Sequence, residues 1–165
     1  MADQVDRIIE QWQREKPGLD VSPMAVIGRL SRTALTVESQ LANTFVQHGL
    51  DASSFDVLAT LLRSGAPYRI SPVELAREAM ISTSAVAQRL NRLESRGLVA
   101  REANPNDGRG TLVVLTDTGK VMIEKALPDH LETERAILST LSRAEQSTLA
   151  ILLSRIENAA SGWEN

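Results

Sequence analysis

A pair of helix signals separated by a very short joint constrains the fold of this chain more than any other feature. The pair lies in residues 71–97, "SPVELAREAMISTSAVAQRLNRLESRG". Ser71 as an N-cap, the proline after it and the capping-box Glu74 predict a short helix that ends near Met80. A second helix is predicted over residues 83–96, before a glycine. Two helices so closely joined form a helix-turn-helix, whose second helix can enter the major groove of DNA.

The second helix of this pair has one apolar face and one basic side. Its apolar residues recur at the three- and four-residue spacing of a buried stripe: Val86, Leu90 and Leu93. Three arginines are expected to project from the remaining surface, roughly on one side: Arg89, Arg92 and Arg96. The pattern predicts a helix that packs by one face and offers guanidinium groups on the other.

A β-hairpin is predicted directly after this helix. The stretch "LVAREA" is typical of a strand, "NPNDGRG" of a tight polar loop and "TLVVLT" of the returning strand. A two-stranded hairpin in this position makes a winged helix-turn-helix, over about residues 70–116. Arg109 lies at the predicted wing tip, from which a cation can reach a phosphate or the minor groove.

The chain before this module is predicted to be helical. Three helices are expected over residues 3–16, 22–48 and 51–62, the last two with N-caps at Ser22 and Asp51. The first is amphipathic and is followed by a break at "KPGLD". The second carries apolar residues at the spacing of one buried stripe, which indicates that it packs against other helices.

Two more helices are expected toward the C-terminus. Thr116 is predicted to cap the first, which Pro128 kinks or splits because proline removes a helical hydrogen bond. Ser142 and Glu145 form a capping box that opens the second. The predicted fold class is therefore mainly α with a small β-hairpin wing, in a single domain over residues 1–165.

The helices outside the winged module have several apolar faces to cover. One chain of this size cannot cover them all, so a symmetric homodimer with interlocked terminal helices is predicted. We expect the DNA-binding lobe over about residues 51–116, and dimerisation helices over about residues 1–48 and 117–160.

The placement of arginine favours nucleic acid as the partner. The chain has a net charge of −3, yet from residue 82 to residue 110 it carries five arginines against three acidic residues. Only three of the eighteen basic residues are lysines, and the planar arginine fork suits phosphate and guanine edges better than lysine does. A solvated basic helix is the alternative, but recognition helix and wing coincide with the local positive excess.

Base-reading residues are expected near the start of the second helix. Thr83, Ser84 and Gln88 carry groups that hydrogen-bond base edges. Thr83 and Ser84 are equally suited to capping the helix. Gln88 has the stronger claim, because a mid-helix glutamine on the polar face can pair with adenine.

Other classes of function find little support in the sequence. The zero cysteine count and the two distant histidines, His48 and His130, argue against a metal site, and no cofactor is predicted. No phosphate-binding glycine loop and no hydrolase or metalloprotease motif occurs, so no catalytic residue is predicted. Neither a membrane-spanning run nor a signal-peptide pattern occurs, which favours the cytoplasm. The alternative to DNA binding is a winged-helix module that binds protein.

The stretch "LAREAMISTSAVAQRLNRLESRGLVARE", followed by "DGRGTLVVLTDTG", resembles the MarR family of winged helix-turn-helix regulators. The "RLNRLESRGLV" segment, the D-x-R wing and the "LT-x-x-G" that follows carry the likeness, which extends over nearly the whole chain. "DGRG" stands where the family usually has "DRR", so Gly108 replaces a cation. The resemblance implies a ligand-responsive repressor that binds a palindromic operator in double-stranded DNA.

The N-terminal "QWQRE", with "LDVSPMAVIGRL" and "SFDVLAT", is similar to the urate-responsive branch of that family. The resemblance implies a small anionic effector bound at four matching residues: Trp12, Asp56, Arg89 and Arg101. A flat anion can stack on an indole and pair with a guanidinium fork. The residues around Arg89 differ from the branch pattern, which leaves urate, xanthine and other planar anions open.

Each of these four residues also has an ordinary structural or DNA-binding role open to it. Trp12 can anchor the first helix, and Asp56 can stabilise the N-terminal dipole of its own helix. Arg89 and Arg101 can bind phosphate alone. The ligand site is favoured because all four residue types occur together.

Overall fold

The computed structural model of the chain describes residues 2–79, 82–105 and 110–162. They form two compact units, residues 1–52 and 53–165. The helices of the N-terminal part are α1 (Gln4–Glu15), α2 (Ser22–Gln47) and α3 (Ala52–Arg63), the last of which begins at the boundary between the units. The rest of the second unit contains β1 (Arg69–Ile70), α4 (Pro72–Glu78), α5 (Thr83–Ser95), β2 (Val99–Ala103), β3 (Thr111–Leu115), α6 (Asp117–Ile137) and α7 (Arg143–Ser161).

In the first unit, a charged clasp, defined as Arg29 with Asp3 and Asp6, fastens α1 to α2. Asp3 caps α1 by accepting hydrogen bonds from the N–H groups of Val5 and Asp6. Arg29 of α2 donates from Nε to Asp3 at 2.9 Å and from Nη2 to Asp6 at 2.6 Å. Val5 is buried beside Gly28, where an added Cβ would lie 3.3 Å from a Val5 methyl carbon. The start of α1 is thus fixed by both charge and packing.

The predicted N-cap at Ser22 is wrong. Ser22 is the first residue of α2, and the N-cap position is taken by Val21, which makes no capping hydrogen bond with its side chain. Asp20 instead accepts the hydrogen bond from the Ser22 N–H, at 2.9 Å. A carboxylate two residues upstream therefore satisfies an N–H that the prediction left to solvent.

The second unit has a continuous aliphatic core. Its side chains come from helices and strands on both sides of the predicted helix-turn-helix. The residues that are 1 % exposed or less include Leu58, Leu61, Leu75, Leu90, Leu93, Leu98, Val113 and Ile123. Burial of this size is the main force that holds α5 and the strands in place.

The helix caps of the second unit follow the predictions closely. Ser71 and Glu74 form the expected capping box of α4, and Ser142 and Glu145 form that of α7. Thr116 caps α6 by accepting from the N–H of residue 119 at 3.0 Å. These contacts are local in sequence, which is why the residue pattern alone predicts them.

Helix α6 runs without interruption through Pro128, so the predicted split is wrong. Pro128 lies on the exposed side of the helix. Its missing N–H leaves a helical carbonyl without its usual donor, and water can hydrogen-bond to that carbonyl on this side. The cost of proline is therefore smaller than at a buried position.

The wing is part of a three-stranded antiparallel sheet of order β1-β3-β2. The predicted hairpin supplies β2 and β3, in which Arg101 is paired with Val113. The third strand, β1, was not predicted; its Arg69 and Ile70 pair with Val114 and Val113. The predicted fold class, mainly α with a small β wing, is confirmed, with one strand more than expected.

Candidate nucleic-acid interface

Helix α5 is held against the core by its predicted apolar face. Val86, Leu90 and Leu93 are each 1 % exposed or less. Ser82 caps the helix by accepting a hydrogen bond from the Ala85 N–H at 3.3 Å, so the cap is neither Thr83 nor Ser84. Because one face is buried and the start is capped, the opposite face of α5 has a defined direction.

That opposite face carries most of the predicted DNA-binding residues. Ser84, Gln88, Arg92 and Arg96 are all exposed. Ser84 lies close to the cap, with its Oγ 3.1 Å from the Ser82 Oγ. Two of the predicted residues fall outside this description: Arg109 and the side chain of Thr83 lie outside the described residues.

Arg89 does not project into solvent with its neighbours, which corrects the predicted row of three arginines. It is half-buried, and its Nη1 is buried and donates to no acceptor within the described residues. Arg89 follows Val86 by three residues and precedes Leu93 by four, so it lies at the edge of the buried stripe. The guanidinium therefore faces the protein more than the helices' polar counterparts do.

Arg101 is joined to α5 by two contacts that no local signal predicted. Its Nη2 donates to Asn91 Oδ1 at 2.7 Å, and its Nη1 forms a close ion pair with Glu94. Asn91 and Glu94 are three residues apart on α5 and so lie on the same side of the helix. The wing strand β2 is thereby attached to the polar surface of α5.

The remaining two residues of the predicted effector site lie in different parts of the chain. Trp12 is on α1, in the first unit, and is 41 % exposed. Asp56 is exposed on α3, in the second unit.

Two other kinds of site were sought among the described residues. Within them, no group of three or more histidine and acidic side chains could hold a metal ion. None of the helices that the structure describes has the length and apolar character needed to cross a membrane.

The chain is similar to known regulators of transcription. Residues 48–110 match the MarR family profile. The chain is 44% identical over 154 residues to the HTH-type transcriptional regulator PecS of Dickeya dadantii, a match that covers 93% of each chain.

Solved structures extend the likeness to three dimensions. Sco3205 of Streptomyces coelicolor, a MarR family regulator solved in complex with DNA, matches with a TM-score of 0.78 at 25% identity, over 86% of this chain and 89% of that one. Bordetella bronchiseptica BpsR, whose DNA binding is regulated by 6-hydroxynicotinic acid, matches with a TM-score of 0.70 at 26% identity, over 81% and 98%. The named relatives are regulators of transcription and not enzymes.

Proposed function

The chain belongs to the MarR family of DNA-binding transcriptional regulators, and on that premise we propose that it is a repressor that binds a palindromic duplex as a homodimer. We propose further that a small planar anion, such as urate or a related purine, releases it from DNA. The exposed polar face of α5 carries the first proposal, and the half-buried Arg89 supports the second.

The DNA-binding role rests on the way α5 separates its two faces. The buried stripe leaves Gln88, Arg92 and Arg96 facing outward on a capped helix. Two arginines can bind phosphate or guanine, and the glutamine can pair with adenine. We assign base reading to Ser84, Gln88 and, by position, Thr83, and backbone contacts to Arg92, Arg96 and Arg109.

The homodimer is supported by the surface of α7. No residue of this helix is buried within the described chain. Three leucines share one side of it, at a spacing of three and four residues: Leu149, Leu152 and Leu153. A nineteen-residue helix with an uncovered apolar stripe suits a symmetric interface, which matches a helix of one protomer to its partner.

The effector proposal rests on the unsatisfied guanidinium of Arg89. A buried donor without an acceptor costs about 1–3 kcal/mol, and more when it is charged. An anion bound beside α5 would supply the acceptor to Nη1 of Arg89. Arg101 would complete the pocket only by exchanging Glu94 for the anion, and Trp12 would offer a flat surface for stacking. 6-Hydroxynicotinic acid, the regulator of BpsR, is a molecule of this planar, acidic kind.

The DNA-binding proposal is tested with a duplex that the protein selects from a randomised library. We expect an inverted repeat with half-sites about one helical turn apart. Fluorescence anisotropy over a salt series should show that Arg92→Ala and Arg96→Ala each lower the salt slope by about 0.9 for a lost phosphate contact. Arg155→Ala, on α7, is the charge-matched control. Selection without sequence enrichment, or equal affinity for a scrambled duplex, would contradict the proposal.

The regulatory sign is tested separately in a reporter whose promoter overlaps the selected duplex. Repression predicts that expression falls when the protein is present. An effector that releases the protein predicts that expression returns when the anion is added. Higher expression in the presence of the protein alone would identify an activator.

The effector proposal is tested by thermal shift with urate, xanthine and 6-hydroxynicotinic acid. We expect at least one of them to raise the melting temperature and to release the selected duplex. Arg89→Gln should lose the thermal shift, whereas Arg92→Gln, which removes the same charge from the same helix, should keep it and lose DNA affinity. If none of the three anions shifts the melting temperature, the planar-anion proposal is wrong.

A further inference from the structure

The contact between β2 and α5 joins a basic side chain to an acidic one in the middle of the proposed DNA-binding surface. We name the set Arg101, Asn91 and Glu94 the wing brace. Arg101 uses two nitrogens, one toward Asn91 Oδ1 at 2.7 Å and one toward Glu94. A guanidinium that spans two acceptors one helical turn apart fixes both distance and direction, as a single ion pair does not.

The brace has a rigid end on each side. On the sheet side, Arg101 pairs with Val113 of the central strand, and Val113 is fully buried. On the helix side, Leu93 is fully buried, and its carbonyl accepts from the Leu98 N–H at 3.0 Å across the turn that connects α5 with β2. The brace closes this turn from the outer side, so the helix and the wing are held at two points.

Glu94 is otherwise hard to explain in this position. A carboxylate on the recognition helix repels the phosphates of a duplex, and nothing in simple electrostatics favours it there. Paired with Arg101, it presents no net charge. The pairing also explains why Arg101, although basic and close to the wing, has its guanidinium directed to protein atoms.

We propose that Arg101 is a positioning residue for DNA recognition: through Asn91 and Glu94 it sets the orientation of α5 relative to the wing. This inference rests on the proposed binding of α5 to DNA and requires no effector. In it, neither Arg101 nor Glu94 contacts the duplex in the unliganded protein.

Glu94→Gln gives a test in which the two explanations differ in sign. If Glu94 only repels phosphate, removal of its charge raises affinity for any duplex. If it anchors the brace, its removal lowers affinity for the selected duplex about three- to tenfold, the loss expected for a charge-assisted contact at a half-exposed site. Affinity for a scrambled duplex should not fall. Glu102→Gln, the same change at the next residue of β2, is the control and should not weaken binding to the selected duplex.

Arg101→Lys separates positioning from phosphate contact. Lysine keeps the charge but cannot span both acceptors, so the brace predicts weaker, less specific binding with an unchanged salt slope. A phosphate contact predicts near-normal binding by lysine and a slope lowered by about 0.9 in Arg101→Ala. In the double variant Arg101→Ala/Glu94→Gln, the brace predicts a loss of affinity smaller than the sum of the single losses.

The outcomes distinguish this inference from the proposed function. A wild-type protein that selects no duplex contradicts DNA recognition by α5. A wild-type protein that binds its selected duplex, with Glu94→Gln equal or tighter in affinity, overturns the brace alone. Additive effects of the Arg101 and Glu94 changes, or a reduced salt slope in Arg101→Ala, also overturn it.

Discussion

The first turn of α6 lies so close to the Leu98 carbonyl group that Gly119 leaves no room for a β-carbon. A Cβ at this position would press on the carbonyl oxygen and would lie 2.9 Å from Leu115 Cδ1. Thr116 holds the same junction through its Oγ1, which donates to the Gly97 carbonyl at 2.7 Å. The glycine of the "LT-x-x-G" motif is thus required by the close packing of α6 on the turn after α5.

Gly119→Ala should destabilise the protein, although alanine is usually the better helix residue. The clash is with backbone, which cannot rotate away, so we expect the free energy of unfolding to fall by about 1–3 kcal/mol, as for other overpacked sites. Urea denaturation followed by circular dichroism measures this change. Gly18→Ala is the control, because nothing lies within 4 Å of a Cβ there; equal effects at the two sites would refute the packing argument.

The charged clasp of the first unit should weaken in acid. Hydrogen bonds from the Asp6 and Val5 N–H groups and the charge of Arg29 hold the pKa of Asp3 below its ordinary value of 3.8. The hydrogen bond from Arg29 lowers the pKa of Asp6 in the same way. Lowered pKa values mean that the ionised acids stabilise the folded state. This contribution is fully present above about pH 4 and is lost as the pH falls through the lowered values.

The clasp is followed through Trp12 fluorescence in a Trp163→Phe background, where Trp12 is the only tryptophan. Acidification from about pH 5 to pH 2, across the ordinary range of aspartate pKa values, should release α1. Arg29→Gln should reduce the part of the signal that depends on pH in this range. Arg32→Gln, an exposed arginine one turn along α2, should behave as the wild type; an unchanged titration in Arg29→Gln would show that the clasp does not hold α1.

Two serines at the start of α5 should have opposite effects. Ser82→Ala removes the N-cap and should lower the free energy of unfolding by about 0.5–2 kcal/mol. Ser84→Ala should leave stability nearly unchanged, since its hydroxyl is exposed, but should lower affinity for the selected duplex severalfold. Chemical denaturation and anisotropy measured on both variants test the pair. Loss of stability in Ser84→Ala would return the capping role to that residue.

The apolar stripe of α7 should control assembly. Leu152→Glu places a charge in the stripe and should convert the homodimer to a monomer, because an unpaired charge in an apolar interface is strongly unfavourable. Ile151→Glu makes the same kind of change on the other side of the helix and should leave the dimer intact. Sedimentation velocity distinguishes the two species. A dimer that survives Leu152→Glu would place the interface elsewhere.

Local sequence signals were sufficient for much of the fold and for the exposed half of the site. The capping boxes at Ser71 and Ser142 join residues three positions apart, so the residue pattern carries the whole interaction. The exposure of Gln88, Arg92 and Arg96 follows from the helical period of the buried stripe. Thr83 and Arg109 keep their predicted roles as predictions.

Contacts between distant residues could not be predicted in this way. Strand β1 is two residues long, too short for any periodicity, and exists because β3 offers it a partner. The salt bridges of Arg29 span twenty-three and twenty-six residues. The wing brace combines a strand residue with a helix residue, and the prediction for Arg101 considered anions from outside the protein and not Glu94.

The order of the sheet has a consequence for the behaviour of the protein at high concentration. With β3 in the centre, the two outer strands are β1, which has only two residues, and β2, which carries Arg101 and Glu102 side by side. A foreign strand therefore meets either too few backbone groups or a charged border. This architecture protects the sheet from edge-to-edge self-association while the helices are still assembling.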